Sequence, residues 1–282
     1  MKTIAIYNIK GGVGKTTTTI NLACLLAKIN LSVLVWDLDA QGGTSYFFSK
    51  EHFNANKTVK LFNGYISIYD VIQPADSYHI DIIPNDPSFS DFSIGNASPL
   101  ARLDFLNSEL VKNVLKKVSD DYDVVIIDCP PGRFAIHDNV FNCTDLLLIP
   151  NIPAPLSMYC NDMLTEALKK ITRAKAKTFS FYNMVQPQKK LHRFYMAQTK
   201  HTIEHLQYYI PFYSEIEIIV HEKVSLFHQL KDSKSIVHYE NLWDEICIKM
   251  GWENLRVYKS RVVDLVKQDT GFTKNIKLSQ SL

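Results

Sequence analysis

The sequence predicts a doubly wound α/β fold, in which a mostly parallel sheet is flanked by helices. Short β-rich apolar runs alternate with longer segments of helical periodicity. The runs are continuously apolar rather than alternating, which suits strands covered on both faces. A glycine turn, Gly11-Gly12-Val13-Gly14, joins the first run to the first helical segment.

In chain order, Thr3–Tyr7 reads as a strand, Lys15–Ile29 as a helix and Val33–Trp36 as a second strand. Asn54–Asn63 and Pro84–Leu100 are rich in Asn, Ser, Pro and Gly and read as loops around the strand Ile80–Pro84. A helix over Leu103–Val118 leads to the strand Val124–Ile127. The strands Leu146–Pro150 and Thr178–Tyr182 then alternate with helices over Leu156–Arg173 and Lys189–Gln207. The pattern closes with helices over Tyr239–Met250 and Leu255–Val266 and a polar tail over 269–282, so residues 1–268 are expected to form one domain.

With 282 residues, 46% hydrophobic and 21% charged, the chain can bury a sizeable core. Lys and Arg number 31 against 29 Asp and Glu, so net charge does not mark a strongly basic nucleic-acid binder. Five scattered cysteines offer neither a disulfide framework nor metal-type spacing, which suits a reducing cytoplasm. Met1–Tyr7 runs straight into the glycine turn without a cleavage-type end, and no stretch approaches the roughly 20 apolar residues of a membrane span.

The chemistry starts at Lys10-Gly11-Gly12-Val13-Gly14-Lys15-Thr16-Thr17, which follows a strand and opens a helix. That setting makes it a P-loop: its backbone N–H groups converge on phosphate oxygens, aided by the positive end of the helix. Lys15 is placed to reach β- and γ-phosphates and Thr16 to ligate Mg²⁺. Two further carboxylates stand at strand ends, where open α/β sheets collect ligands: Asp39, just beyond Val35-Trp36-Asp37-Leu38, and Asp128, after four apolar residues. Asp128 suits a Walker B carboxylate beside Mg²⁺, while Asp37 reads as structural. Cys129 has no basic neighbour in sequence and reads as packing.

A second lysine at the phosphates is chemically excessive within one subunit, and Lys10 is that second lysine. The run KGGVGKTTTT resembles the deviant Walker A motif of the ParA/MinD family. The resemblance implies an ATP-sandwich homodimer in which Lys10 contacts the nucleotide of the other subunit. It also implies that Asp39, the second Asp of a D-x-D-P-Q segment, orients the attacking water and helps organise Mg²⁺. Ala40 stands where that segment has Pro, a departure expected to loosen the turn. Asp128-Cys129-Pro130-Pro131-Gly132 and Asn142–Pro150 resemble the family's following segments, with Asp145 read as structural. Asn183 at a strand end and Pro211 resemble the family's adenine-contacting positions, although an Asn there serves equally as a turn cap.

From the resemblance follow ATP and Mg²⁺ as cofactors, slow ATP hydrolysis and a ParB-like activating protein. The expected location is cytoplasmic and nucleoid-associated, and the helix-turn-helix of larger relatives is expected to be missing. Three classes of task are open to such a site: DNA partition, the alternative of MinD-like membrane or protein-cargo positioning, and ATP-coupled electron transfer. Partition needs non-specific DNA binding, for which the chain offers basic clusters at Lys169, Lys170, Arg173, Lys175 and Lys177, at Lys189, Lys190, His192 and Arg193, and at Arg256, Lys259, Arg261 and Lys267. MinD-like membrane placement would use Leu255–Lys267 as an amphipathic helix, which equally describes a docked terminal helix. Electron transfer through an iron–sulfur cluster lacks a suitable cysteine pair.

Overall fold

The computed structural model describes residues 1–49, 57–75, 79–87, 109–132, 135–169, 176–198, 202–216, 223 and 234–257. Eight strands form one sheet: β1 Lys2–Ile6, β2 Val33–Asp37, β3 Gln73–Pro74, β4 Ile80–Ile83, β5 Val124–Asp128, β6 Leu146–Asn151, β7 Lys177–Tyr182 and β8 Glu204–His205. Their order across the sheet is β3-β4-β2-β5-β1-β6-β7-β8, parallel throughout except for β3 on β4. Among the described residues the helices are α1 Lys15–Lys28, α2 Gly43–Phe48, α3 Lys57–Phe62, α4 Leu110–Lys116, α5 Ala135–Cys143, α6 Pro155–Lys169, α7 Lys190–Met196 and α8 Lys234–Met250.

The continuous apolar runs bury both faces of the central strands. Ile4, Ile6, Val124 and Ile126 enter one core with α1 and α8, whereas Ala5, Tyr7, Val125 and Ile127 enter the other with α4 and α5. Strand geometry points successive side chains to opposite faces, so an apolar run with no polar alternation is what two helical layers require. After β1 the chain crosses to β2 on one side of the sheet, and from β6 onward it extends the other side, so the glycine turn lies at the point of reversal.

Several elements differ from the expectation. The segment read as a loop over 54–63 contains α3, whose Thr58 N–H donates to Asp86 Oδ2 at 2.8 Å, so a residue 28 positions away anchors its first turn. The helix expected over Lys189–Gln207 stops at Met196, and Glu204–His205 instead extends the sheet edge beside β7. That change is tertiary in origin, because the Glu245 carboxylate on α8 accepts the N–H groups of Gln207 and Tyr208. Helix α8 starts at Lys234, five residues before the expected Tyr239. The helix expected over Leu255–Val266 does not start as one: Glu253–Leu255 is a single 3₁₀ turn and Arg256 is extended. Its remainder, the 269–282 tail, most of the loop over 84–100 and the outer parts of the helices expected over 103–118 and 156–173 lie outside the described residues.

Candidate nucleotide site

The glycine turn leaves β1 through Asn8, a buried residue whose amide ties the start of the turn to the end of β6. Its Nδ2 donates to Pro150 O and Asn151 Oδ1, both at 2.8 Å, while its Oδ1 accepts Lys10 N–H at 2.9 Å. Gly14 caps α1 in the left-handed region at φ 86°, where a side chain is strained, and a Cβ there would stand 2.3 Å from Asn183 Nδ2. Gly11 and Gly12 are exposed, and a Cβ on either would meet nothing within 4 Å. The outer half of the loop is therefore an open cradle, and its inner half is closed against the protein.

The two lysines diverge. Lys15 is 6% exposed, its Nζ lies 3.4 Å from the Lys10 carbonyl oxygen, and burial lowers its pKa against the opposing pull of Asp128 and Asp39. Lys10 instead extends away from its own loop, with Nζ 3.4 Å from Ser157 Oγ on α6.

Asp128, at the end of β5, lies beside Asp37, its register partner on β2. Asp128 Oδ2 accepts the hydroxyls of Thr16 at 2.8 Å and Thr44 at 2.6 Å, drawing α1 and α2 onto one oxygen. Its other oxygen, Oδ1, is buried without a hydrogen-bond partner. Asp37 accepts the Asp39 N–H at 3.0 Å and both the N–H and the hydroxyl of Ser45, at 2.8 and 2.7 Å. Burial raises the pKa of both carboxyls. Asp37, further raised by Asp128, is pushed up to about 8, and Asp128 to about 6 against the lowering bonds from Thr44 and Thr16.

Asp39 lies within electrostatic reach of Lys15 and Asp128, and its Oδ1 accepts Gln41 N–H at 3.0 Å. The turn that Ala40 was expected to loosen is braced on several sides. Gly42 N–H donates to Asp39 O at 2.9 Å, Asn85 Nδ2 donates to Ala40 O at 3.3 Å, and a Cβ on Gly42 would meet the Asn85 amide at 2.7 Å. Bonds from neighbouring segments thus replace the stiffness of a proline ring.

Beyond the loop, a cleft of about 310 Å³ is lined by Thr17, Asn183, Met184, Pro211, Phe212 and Tyr213. Asn183 Nδ2 donates to Val13 O at 2.9 Å, so the cleft wall touches the loop itself. Pro211 is held beside Val185 by a parallel bridge. The expected Lys10, Lys15, Thr16, Asp39 and Asp128 thus gather at one sheet edge, and Thr17, Asn183 and Pro211 line the adjoining cleft. Thr44 and Asn8 were not foreseen as parts of the site. Thr44 had a signal in Gly42-Gly43-Thr44-Ser45 following the two aspartates, and Asn8 one in its place between strand and glycines. Elsewhere the structural readings hold: Asp145 Oδ2 accepts Thr3 N–H at 2.8 Å, and Cys129 is buried with its thiol pKa raised well above the ordinary value.

A partnerless buried carboxylate oxygen beside a threonine hydroxyl suits a hard cation. Among the described residues, no three His, Cys, Asp or Glu side chains cluster to hold a metal unaided. The donor set therefore fits a Mg²⁺ that shares its coordination with phosphate oxygens.

The family model described as an AAA domain matches residues 1–181. The chain belongs to this family. Within it, the chain is of the ParA/MinD kind of P-loop protein: it is 33% identical over 150 residues to the sporulation initiation inhibitor protein Soj of Bacillus subtilis, covering 53% of this chain and 57% of Soj. It is 31% identical over 172 residues to the chromosome partitioning protein ParA of Myxococcus xanthus, covering 60% and 56%. In sequence, this AAA domain chain spans about half the length of the curated relatives it matches. Among solved structures, a candidate plasmid partition protein of Borrelia burgdorferi B31 bound to AMPPNP is 26% identical with a TM-score of 0.72, covering 88% of this chain and 99% of that one. An ATP complex of a Cyanothece McdA variant shares the fold at 21% identity, with a TM-score of 0.75 over 93% of this chain and 99% of that one.

Proposed function

We propose that this chain is a ParA-like partition ATPase whose Mg²⁺·ATP-bound form is a homodimer that holds DNA without sequence preference. Hydrolysis, stimulated by a ParB-like partner and slow without it, then releases the DNA. The observation that carries this reading is the divergence of the two lysines: Lys15 is folded into its own loop, and Lys10 reaches across to Ser157 on α6. A cation held outside its own cradle is suited to the phosphates of a second copy. The ligands in the Borrelia and Cyanothece structures, AMPPNP and ATP, support the choice of nucleotide.

In this reading Gly11, Gly12, Val13 and Gly14 offer backbone N–H groups to phosphate, and Thr17, Asn183 and Pro211 border the base. Lys15, with Lys10 from the other copy, stabilises the charge that shifts onto the leaving phosphate. Thr16, Asp39 and Asp128 hold Mg²⁺, which when bound supplies charge neutralisation between the phosphates. Asp39 also orients the attacking water. The cytoplasm, with association to the nucleoid, is the setting this implies.

DNA contact draws on α7, where Lys189, Lys190 and Arg193 are exposed, no acidic residue occurs between Gln186 and Gln198, and none of the three forms an ion pair among the described residues. In the other clusters Lys170, Arg173, Lys175, Lys259, Arg261 and Lys267 lie outside the described residues. Lys169 pairs with Glu166, Arg256 pairs with Glu253, and Lys177 caps α8 by donating to Lys249 O at 2.9 Å. Membrane placement is not favoured. Trp243 Nε1 donates to Leu255 O at 2.8 Å, so the segment nominated as an anchor begins docked, and no helix among the described residues is long and apolar enough to cross a membrane.

The test is particle mass and co-sedimentation with DNA in ATP, in ADP and without nucleotide, with liposomes as a competing surface. ATP-dependent doubling and DNA retention are expected for the native chain. Lys15→Ala should lose nucleotide and both behaviours, whereas Lys10→Ala should keep ATP and remain single. A native chain that binds ATP yet neither pairs nor is retained by DNA would refute the reading.

A further inference from the structure

The cleft wall formed by Pro211, Phe212 and Tyr213 belongs to a stretch with little regular structure of its own. Between β8 and the helical residues 214–216, the chain makes only the bridge at Pro211. Backbone N–H and C=O groups buried outside helices and strands must find partners elsewhere. Ahead of the wall, α8 supplies three of them in succession. The Glu245 carboxylate accepts the N–H groups of Gln207 at 2.9 Å and Tyr208 at 3.0 Å, and His238 Nδ1 lies 3.0 Å from Tyr209 O. A carbonyl only accepts, so that nitrogen carries the proton. Beyond the wall, the Ser235 hydroxyl donates to the Glu215 carboxylate. The end of β7 holds the stretch between these points: Ile210 N–H donates to Tyr182 O at 2.9 Å and Phe212 N–H to Val185 O at 2.8 Å.

We propose that Ser235, His238 and Glu245 are positioning residues for the base cleft, fixing its wall from both ends although none of the three lines it. The inference rests on the reading, given above, that this cleft takes the nucleotide base. The three side chains are 0%, 8% and 9% exposed. Spaced i, i+3 and i+10, they fall within about a quarter of a turn on one side of α8. The adjoining side, with Ile236, Tyr239, Leu242 and Ile246, is packed in the core shared with α1, so the polar stripe is carried by a fixed element.

A carboxylate loses its hydration when buried, and an apolar side chain would fill the same space more favourably. Glu245 suits its place because two successive backbone N–H groups need a fixed acceptor there. His238 adds a direct link to the wall. Its ring centroid is 5.7 Å from that of Tyr209 and 6.0 Å from that of Tyr213, which lines the cleft. The glycine turn is held separately, by Asn8 and by the start of α1. A wall displaced by about 1 Å therefore weakens the grip on a base and spares the grip on a triphosphate.

Calorimetric titration with Mg²⁺·AMPPNP, which carries the base, and with Mg²⁺·tripolyphosphate, which lacks it, reads the two grips separately. Glu245→Leu removes the acceptor of the Gln207 and Tyr208 N–H groups, and His238→Phe keeps a ring but removes the donor to Tyr209. Each is expected to weaken AMPPNP about tenfold and tripolyphosphate less than about twofold. Glu245→Gln, which retains an acceptor oxygen, should recover part of the loss. Trp243→Phe, which loosens α8 at Leu255 instead, is the control: it should lower the melting temperature and leave the ratio of the two affinities unchanged. If Glu245→Leu does not fold, His238→Phe decides in its place. Variants that bind both ligands like the parent, or lose both in the same proportion, overturn the positioning role and leave the cleft as the base site. A control whose ratio shifts as far as theirs does the same. A parent that binds AMPPNP no better than tripolyphosphate removes the base site and this inference with it.

Discussion

Gly14 combines a left-handed φ of 86° with a Cβ position 2.3 Å from the Asn183 amide, whereas Gly11 has neither constraint. Gly14→Ala is therefore expected to cost about 1–2 kcal/mol from backbone strain alone, plus displacement of Asn183. Gly11→Ala should leave the melting temperature unchanged and weaken only nucleotide binding; thermal denaturation beside a nucleotide titration separates the two. The carboxyls of Asp37 and Asp128 make a second residue-level prediction. Their folded-state pKa values, about 8 and about 6, lie above the ordinary carboxyl range, so the fold favours their protonated forms. That stabilisation is complete below about pH 4 and is lost from there up to about pH 6 for Asp128 and about pH 8 for Asp37, at up to roughly 1.4 kcal/mol per pH unit for each group within its window. Chemical denaturation at pH 6, 7 and 8 without Mg²⁺ should show the decline, and Mg²⁺ with nucleotide should flatten it. These residues were legible in the sequence because each sits at the end of an apolar run or inside a glycine turn. Thr44 was harder to see, since its importance comes from an oxygen 84 positions away.

At the scale of elements, legibility followed the source of the stabilising bonds. Strands β1, β2, β5 and β6 come from uninterrupted apolar runs, and their bounds fall within a residue of the expectation. Helix α3 and strand β8 instead depend on Asp86 and Glu245, distant residues whose carboxylates accept local backbone N–H groups, and no local pattern announces them. Helix α8 carries the clearest element-level prediction. Trp243 is fully buried, 6.2 Å from the Trp252 ring centroid, and its indole N–H holds Leu255 O. Trp243→Phe should cost about 1–2 kcal/mol by leaving that carbonyl unpaired, and Trp243→Ala about 3–5 kcal/mol. Urea denaturation followed by far-UV circular dichroism would report one cooperative loss if α8 belongs to the same unit as the sheet, and two steps if it does not.

For the whole molecule, the near balance of 31 basic and 29 acidic residues means that affinity for a polyanion must come from local surfaces rather than overall charge. A particle making about four phosphate contacts should lose on the order of a hundredfold in DNA affinity between 50 and 200 mM salt. Filter retention across that range, in ATP, checks the slope; a flat line would exclude backbone contacts as its basis. The layered architecture was readable because doubly apolar strands permit little else. The sheet's antiparallel edge was not, since Gln73–Pro74 offers only two residues and takes its place through Ser49 and β4.

The hydrogen bond from Asn183 to Val13 has one more implication. It makes the cleft and the glycine turn a single mechanical part, so occupants of the two cannot be indifferent to each other. If filling the cleft steadies the turn, thermodynamic reciprocity requires an anion on the turn to tighten the cleft by the same factor. Adenosine and inorganic triphosphate, offered as separate fragments, should then each bind better in the other's presence, and cutting the tether with Asn183→Ala should make them strangers.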